Sequence, residues 1–333
     1  MAFAHLLELD NVQTHLKLRD GTVRAVDGVS FTVDAGETLG IVGESGSGKS
    51  MTALSIMRLL PRTGDIVGGR VKFKDRVLTD LSEYEMEAIR GTEIAMIFQD
   101  PMTSLNPVFR TGWQVGEPLR IHQHFRARAS VAAAVDLFKK VGIPDARRRV
   151  VQFPHMFSGG MRQRAMIAMG VSNEPSLLIA DEPTTALDVT VQASIIELLR
   201  DISRELRAAV ILITHNMALV ASLCNRVIVM YAGRIVEQGP TRAIFKNPQH
   251  PYTWSLLRSM PRMDEVGKER LVSIRGVPPD LGKLPTGCKF HPRCRFKVDR
   301  CLTEEPPLGE VDPEQLARCW VLMKNVSNPE MQS

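Results

Sequence analysis

The chain has 333 residues, with 42 Lys and Arg against 37 Asp and Glu for a formal charge of +5. That length holds one large domain or two smaller ones with a sizeable core, and so modest a charge does not by itself point to nucleic acid. No apolar run reaches the roughly 20 residues that span a bilayer. The N-terminus lacks the basic-then-apolar plan of a secretory signal, so a soluble, cytosolic chain is expected, in which five cysteines are not a disulfide framework.

In chain order, alternating stretches at Leu6-Leu7-Glu8-Leu9 and Val29-Ser30-Phe31-Thr32-Val33 predict edge or half-buried strands. Turns at Arg19-Asp20-Gly21-Thr22 and Asp34-Ala35-Gly36-Glu37 separate them. The apolar run Leu39-Gly40-Ile41-Val42 leads directly into Gly43-Glu44-Ser45-Gly46-Ser47-Gly48-Lys49-Ser50, the pattern G-x-x-x-x-G-K-[ST]. Residues 51–60, opening on Met51, have helical character and stop at Pro61; Ile94-Ala95-Met96-Ile97-Phe98 predicts a short buried strand ending at Gln99. From about residue 101 to 171 the pattern is helical, with helices expected over 112–125 and 129–141 and a stop at Gly142-Ile143-Pro144. Residues 120–164 are basic, which reads either as a solvated face or as one turned toward a membrane or an acidic partner.

Three apolar runs follow, Leu177-Leu178-Ile179-Ala180 before Asp181, Val210-Ile211-Leu212-Ile213 before Thr214-His215, and Val227-Ile228-Val229-Met230. Alternating with amphipathic helices, they predict a parallel sheet covered on both faces. Past about Phe245 the texture changes: eleven of the twenty prolines lie from Pro248 onward, with four of the five cysteines, and a loop-rich module is expected.

The chemistry gathers at strand ends. Glycines let successive backbone N–H groups turn toward a phosphate, Lys49 suits β- and γ-phosphates, and the Ser50 hydroxyl suits Mg²⁺. Asp181 after a buried strand suits Mg²⁺, and Glu182 beside it suits polarising an attacking water. His215 suits a γ-phosphate contact, and Gln99 suits Mg²⁺ or the γ-phosphate. Ser158-Gly159-Gly160 opens a helical segment and offers N–H groups to an anion. Each has a plainer reading alone: a loop that binds nothing, acids capping a helix, an ordinary polar His, an N-cap.

In order and spacing, these motifs with Phe98-Gln99-Asp100 and Ala186-Leu187-Asp188 resemble the nucleotide-binding subunit of an ABC transporter. The resemblance covers about the first 245 residues. It implies an α/β P-loop NTPase core of ABC type over 1–245, with an antiparallel β subdomain and a helical subdomain at about 101–171. A small module with four cysteines would fill 246–333. It implies ATP hydrolysis in a head-to-tail dimer, each ATP lying between the phosphate loop (Gly43, Ser45, Gly46, Gly48, Lys49, Ser50, Met51) of one subunit and Ser158-Gly159-Gly160 of the other, with Asp188 coupling the two sites. Catalysis would fall to Glu182, His215, Gln99 and Lys49, and Mg²⁺ to Ser50, Gln99 and Asp181. The signature departs from the family in Phe157 and Met161, where Leu and Gln are usual. Where the family commonly has an aromatic for adenine, this chain has His15-Leu16-Lys17-Leu18, and either His15 or Leu16 takes that place.

Asn247-Pro248-Gln249-His250-Pro251-Tyr252-Thr253, residues 98–107 and Gly287-Cys288-Lys289-Phe290-His291-Pro292-Arg293-Cys294 resemble the peptide and nickel importer branch, specifically the first of two ATPases of a dipeptide or oligopeptide importer. That implies a second homologous ATPase, two permeases and an extracytoplasmic binding protein as partners, no nucleic acid, and a peripheral place on the cytoplasmic face of the membrane. A nickel-chelate or haem importer of the same branch is the nearest alternative. A soluble ABC ATPase of DNA repair or translation usually carries coiled-coil insertions or a second nucleotide domain, and neither is present. A non-hydrolysing structural subunit is disfavoured by intact Lys49, Asp181, Glu182 and His215.

Cys288, Cys294, Cys301 and Cys319 are spaced C-x5-C-x6-C-x17-C. Zinc ribbons favour close C-x-x-C pairs, absent here, whereas four thiolates from irregular loops suit a [4Fe–4S] cluster. Zinc and unligated buried thiols stay open as alternatives. Lys289, Arg293 and Arg295 are expected to offset a cluster's charge, and Cys224 to be a core residue.

Overall fold

The computed structural model describes residues 4–19, 21–100, 104–185, 187–259 and 274–326, so Pro101, Met102, Thr103 and Ala186 of the motifs above lie outside the described residues. The strands are β1 (Leu7–Leu18), β2 (Gly21–Val33), β3 (Thr38–Val42), β4 (Gly64–Phe73), β5 (Arg76–Val77), β6 (Ile94–Ile97), β7 (Leu177–Asp181), β8 (Ala209–Thr214), β9 (Arg226–Tyr231), β10 (Arg234–Pro240), β11 (Gly309–Asp312) and β12 (Gln315–Ala317). Two compact units interleave along the chain: Met1–Leu7 with Val33–Thr38 and Phe73–Ile213, and Glu8–Thr32 with Leu39–Lys72 and Thr214–Ser333.

In the first unit β6, β7 and β8 run parallel, Ile94 opposite Leu177 and Leu177 opposite Ala209. Every residue of β7 and β8 is buried, as expected of parallel strands covered on both faces. The helix Val189–Leu206 turns Ile195, Ile196, Leu199 and Ile202 inward along one stripe. The helix Gly159–Gly170 packs on this sheet, Gly170 lying next to Ile97 and Leu178. The helix expected over 112–125 is two helices, Thr111–Val115 and Glu117–His122. They meet at Gly116, where a Cβ would come within 2.7 Å of the Ser130 carbonyl oxygen. Several basic side chains of residues 120–164 serve the unit itself. Arg120 stacks on Trp113 at 3.8 Å, and Arg162 donates to the Pro154 carbonyl at 2.8 Å.

In the second unit β2, β1 and β4 are neighbours in that order. β3 runs parallel to β9, Ile41 opposite Ile228, and β10 returns antiparallel to β9. A Cβ on Gly40 would lie 2.8 Å from Val220 Cγ1 and 3.1 Å from Cys224 Sγ, so the missing side chain seats the helix Met217–Leu223 on β3. Cys224 is the expected core residue, its thiol pushed up to about 12 by burial. Regular structure does reach the tail: β12 pairs antiparallel with β10, and β11 with β12. No helix among the described residues is long and apolar enough to cross a membrane.

A register break between Ile235 and Glu237 makes Val236 and Glu237 both face inward, the usual effect of one extra residue in a strand. Glu237 is wholly buried and accepts from the N–H of Gln249 at 2.6 Å, the N–H of His250 at 2.9 Å and Gln315 Nε2 at 2.8 Å. Burial raises its pKa against the pull of those donors. One carboxylate thus pins the segment carrying Asn247–Thr253 and strand β12 to β10. Glu237→Gln would point an amide N–H at a donor already there. We expect it to lower unfolding stability by about 2 kcal/mol, read from urea denaturation of the full chain.

Candidate functional site

β3 delivers the phosphate loop in the second unit. Gly43 has φ +154°, and a Cβ there would lie 2.3 Å from the Met230 carbonyl oxygen and 2.6 Å from Ser47 Oγ. Gly48 has φ +104°, with the Ala25 carbonyl oxygen 2.5 Å from where a Cβ would sit. Only glycine satisfies either position, in backbone conformation and in space. Ser45 and Gly46, at the loop's tip, are exposed. Lys49 opens the helix Lys49–Met57 and is buried, its Nζ donating to the carbonyls of Gly43 at 2.8 Å and Glu44 at 2.9 Å. The loop is thereby closed around its own ammonium. Ser50 and Met51 follow, half-buried, in the first turn. In the same unit His215 is exposed just past β8. His15, on β1, is half-buried, and its Nε2 is sealed without a hydrogen-bond partner among the described residues.

The first unit carries the carboxylates. Asp181 is the last residue of β7 and buried. Glu182 follows with a left-handed backbone, φ +45°, its N–H held by the Ile213 carbonyl at 2.8 Å. Such a conformation on a residue with a side chain costs about 1 kcal/mol and persists where the surroundings impose it. Glu182 Oε2 accepts from Thr185 Oγ1 at 2.8 Å and from Gln99 Nε2 at 3.2 Å. The structure therefore joins the predicted Gln99 and Glu182, and adds Thr185, which sequence reasoning passed over. A Thr three residues past a strand-end Glu was the available signal.

Ser158 and Asp188 are both helix N-caps. Ser158 Oγ accepts from the Met161 N–H at 3.4 Å, and Asp188 Oδ1 from the Val191 N–H at 2.9 Å. Ser158, Gly159 and Asp188 are exposed. Gly160 is also a packing requirement, since a Cβ there would lie 2.8 Å from Val191 Cγ1.

The tail cysteines act on one another electrostatically: Cys319 is influenced by Cys288, Cys294 and Cys301, and Cys294 by Cys288 and Cys301. Burial raises the Cys288 thiol, lifts Cys294 to about 11 and lifts Cys319 to about 12. Among the described residues no three His, Cys, Asp or Glu side chains are placed to hold a metal ion. The cations near the cysteines are committed elsewhere than expected. Arg293 forms a two-pronged pair with Glu44, Arg295 lies over the Trp254 ring at 5.1 Å, and Lys289 donates to the Pro285 carbonyl at 2.9 Å.

A glycine-bound loop with a buried lysine, following a parallel strand, defines a P-loop nucleotide-binding protein. Comparison with known proteins narrows this. Residues 26–185 match the ABC transporter family, and residues 236–301 match the oligopeptide/dipeptide transporter C-terminal region. The oligopeptide transport ATP-binding protein OppD of Bacillus subtilis is 49% identical over 95% of this chain and 89% of its own. The dipeptide transport ATP-binding protein DppD of Lactococcus lactis is 48% identical over 97% of this chain and 92% of its own. Among solved structures, a dimeric ATP-binding cassette in a post-hydrolysis state with ADP and Pi aligns with a TM-score of 0.64 and 27% identity, covering 71% of this chain and 99% of that one. The chain belongs to the ABC transporter family, with the C-terminal region of its oligopeptide/dipeptide transporters.

Gly43→Ala tests the loop's geometry. Overlap with a backbone carbonyl cannot be relieved by a rotamer change, so we expect a stability loss of about 1–3 kcal/mol and weakened ATP binding, read by denaturation and by nucleotide titration.

Proposed function

We propose that the chain is the ATP-hydrolysing subunit that powers import of di- and oligopeptides across the cytoplasmic membrane, ATP-driven closure of a dimer being coupled to permease subunits. The observation that carries this is an intact phosphate loop on a chain whose tail matches the oligopeptide/dipeptide transporter region. Identity of 48–49% over nearly the whole length of relatives named for oligopeptide and dipeptide transport supports it. Nickel chelates or haem would be the cargo only if the partner chains, which contact substrate, differ from those of the peptide systems.

Lys49 and the loop amides of residues 43–50 bind the β- and γ-phosphates. Ser50, Gln99 and Asp181 would hold Mg²⁺, which when bound offsets phosphate charge. Glu182 is the general base: Thr185 and Gln99 both donate to Oε2, fixing the carboxylate's orientation so that it takes a proton from the attacking water. His215 completes the γ-phosphate contacts, and His15 takes the adenine position. In a dimer with a second, homologous ATPase, Ser158, Gly159 and Gly160 face the partner's nucleotide and Asp188 couples the two sites. The exposed N-caps at Ser158 and Asp188 leave those groups available for that purpose.

The chain would sit peripherally on the cytoplasmic face of the membrane with two permeases and an extracytoplasmic binding protein. Exposed Phe98, Val108 and Phe109, around the segment after Gln99, suit a permease contact. We keep 1–245 as the nucleotide-binding domain, with its helical subdomain at about 101–171, and 246–333 as the cysteine-containing module. A [4Fe–4S] cluster on Cys288, Cys294, Cys301 and Cys319 is supported by four thiols within electrostatic reach of one another.

Glu182→Gln in the assembled transporter is expected to cut ATP turnover at least about 100-fold while nucleotide binding persists. Turnover at the parental rate would remove Glu182 as the base. For the tail, protein purified without oxygen is expected to carry about four irons per chain, lost in Cys294→Ser; a single zinc, or no metal, would dismiss the cluster.

A further inference from the structure

The first variable residue of the phosphate loop, Glu44, is held through three different groups. Its carbonyl accepts from Lys49 Nζ, within the loop. The other two ties come from the tail. Its backbone N–H donates to the Tyr252 hydroxyl at 2.8 Å, and its carboxylate receives both arms of Arg293, NH1 to Oε2 at 2.6 Å and NH2 to Oε1 at 3.0 Å.

Neither tail residue is free to drift. Arg293 has a side chain only 5% exposed, and its Nε donates to the Arg275 carbonyl at 2.9 Å. Its guanidinium stands over the rings of Tyr231 and Phe290. Tyr252 is fully buried, its ring 4.7 Å from that of Tyr231 and 5.3 Å from that of Phe290. His250, pushed down to about 3 chiefly by burial, is neutral, and its Nδ1 accepts the Tyr252 N–H at 3.0 Å. The Asn247–Thr253 motif, which neither hydrolysis nor dimerisation uses, thus ends by placing one hydroxyl on a loop amide.

A buried ion pair adds little net stability, but a two-pronged arginine–carboxylate pair fixes geometry closely. Here that geometry is imposed on the loop that must cradle a triphosphate. Without Arg293, the half-buried Glu44 carboxylate would stand uncompensated beside the phosphates, and the Glu44 amide would lose its reference point.

We infer that Tyr252 and Arg293 are positioning residues for the phosphate loop, through which the folded tail sets nucleotide affinity. This rests on the ATPase reading above. Arg293 directly precedes Cys294, whose N–H is bonded to the Phe290 carbonyl at 3.0 Å, so a displacement of the cysteine segment would reach the loop through this pair.

The test is equilibrium ATP binding by the full chain, in parental form and as Arg293→Met, Glu44→Gln with Arg293→Met, and Tyr252→Phe. Hydrogen exchange of the Glu44 amide is followed in parallel. Arg293→Met is expected to weaken ATP binding about tenfold, the size of an ordinary coupling between sites. Removing the carboxylate as well should restore most of that loss, because the stranded charge is then gone. Tyr252→Phe should speed exchange at Glu44. If Arg293→Met does not fold, Arg293→Lys, which keeps the charge and loses the fork, takes the place of the single variant and is likewise expected to weaken ATP binding. Parental ATP affinity in the folded single variant, or a double variant no better than the single, would overturn the inference and leave the ATPase reading intact. A parental chain that binds no nucleotide would overturn both.

Discussion

The structure around the nucleotide loop depends on backbone meeting backbone with no room between. Carbonyl oxygens of Met230 and Ala25 occupy the places where side chains of residues 43 and 48 would begin. Those contacts hold the loop's amides in one arrangement before any phosphate arrives, so binding does not have to supply the ordering. Lys49, turned onto the carbonyls of Gly43 and Glu44, closes the same loop from within. A preformed anion cradle of this kind favours charge that develops on transferred phosphate, which is where phosphoryl transfer gains most from a protein.

A second, deeper constraint organises the tail. Glu237 is a carboxylate without access to water, tolerable only because three donors from two segments of the chain converge on it. The strand bulge that turns it inward and the proline-bounded motif that supplies two of the donors are therefore parts of one device. From that anchor Tyr252 packs tilted and Phe290 edge-on against Tyr231, and the tail gains an address on the ATPase core that its loop-rich composition does not suggest.

Much of this was legible in the sequence, for physical reasons. Buried parallel strands read as unbroken apolar runs, and β7 and β8 fell where Leu177–Ala180 and Val210–Ile213 predicted them. The phosphate loop was readable because its backbone leaves no choice of residue at Gly43 and Gly48. Gly116 was harder: a glycine inside a helical pattern does not announce that Ser130 passes against it, and one expected helix became two. Arg293 was read by its neighbours in sequence, the cysteines, whereas its partner Glu44 lies 249 positions away. β11 and β12 were missed because strands of four and three residues are too short to show a period. Thr185 offered only its spacing from Glu182 as a signal, and its hydrogen bond to the Glu182 carboxylate forms where Glu182 takes a left-handed backbone.

The central claim is that hydrolysis by this chain drives peptide uptake, and transport itself tests it most directly. The assembled transporter would be placed in proteoliposomes with ATP enclosed and a labelled oligopeptide offered outside with the binding protein. ATP-dependent accumulation of the peptide, absent when a non-hydrolysable analogue replaces ATP, is the predicted result. Undiminished ATP turnover with no accumulation of di- or oligopeptide would contradict the account.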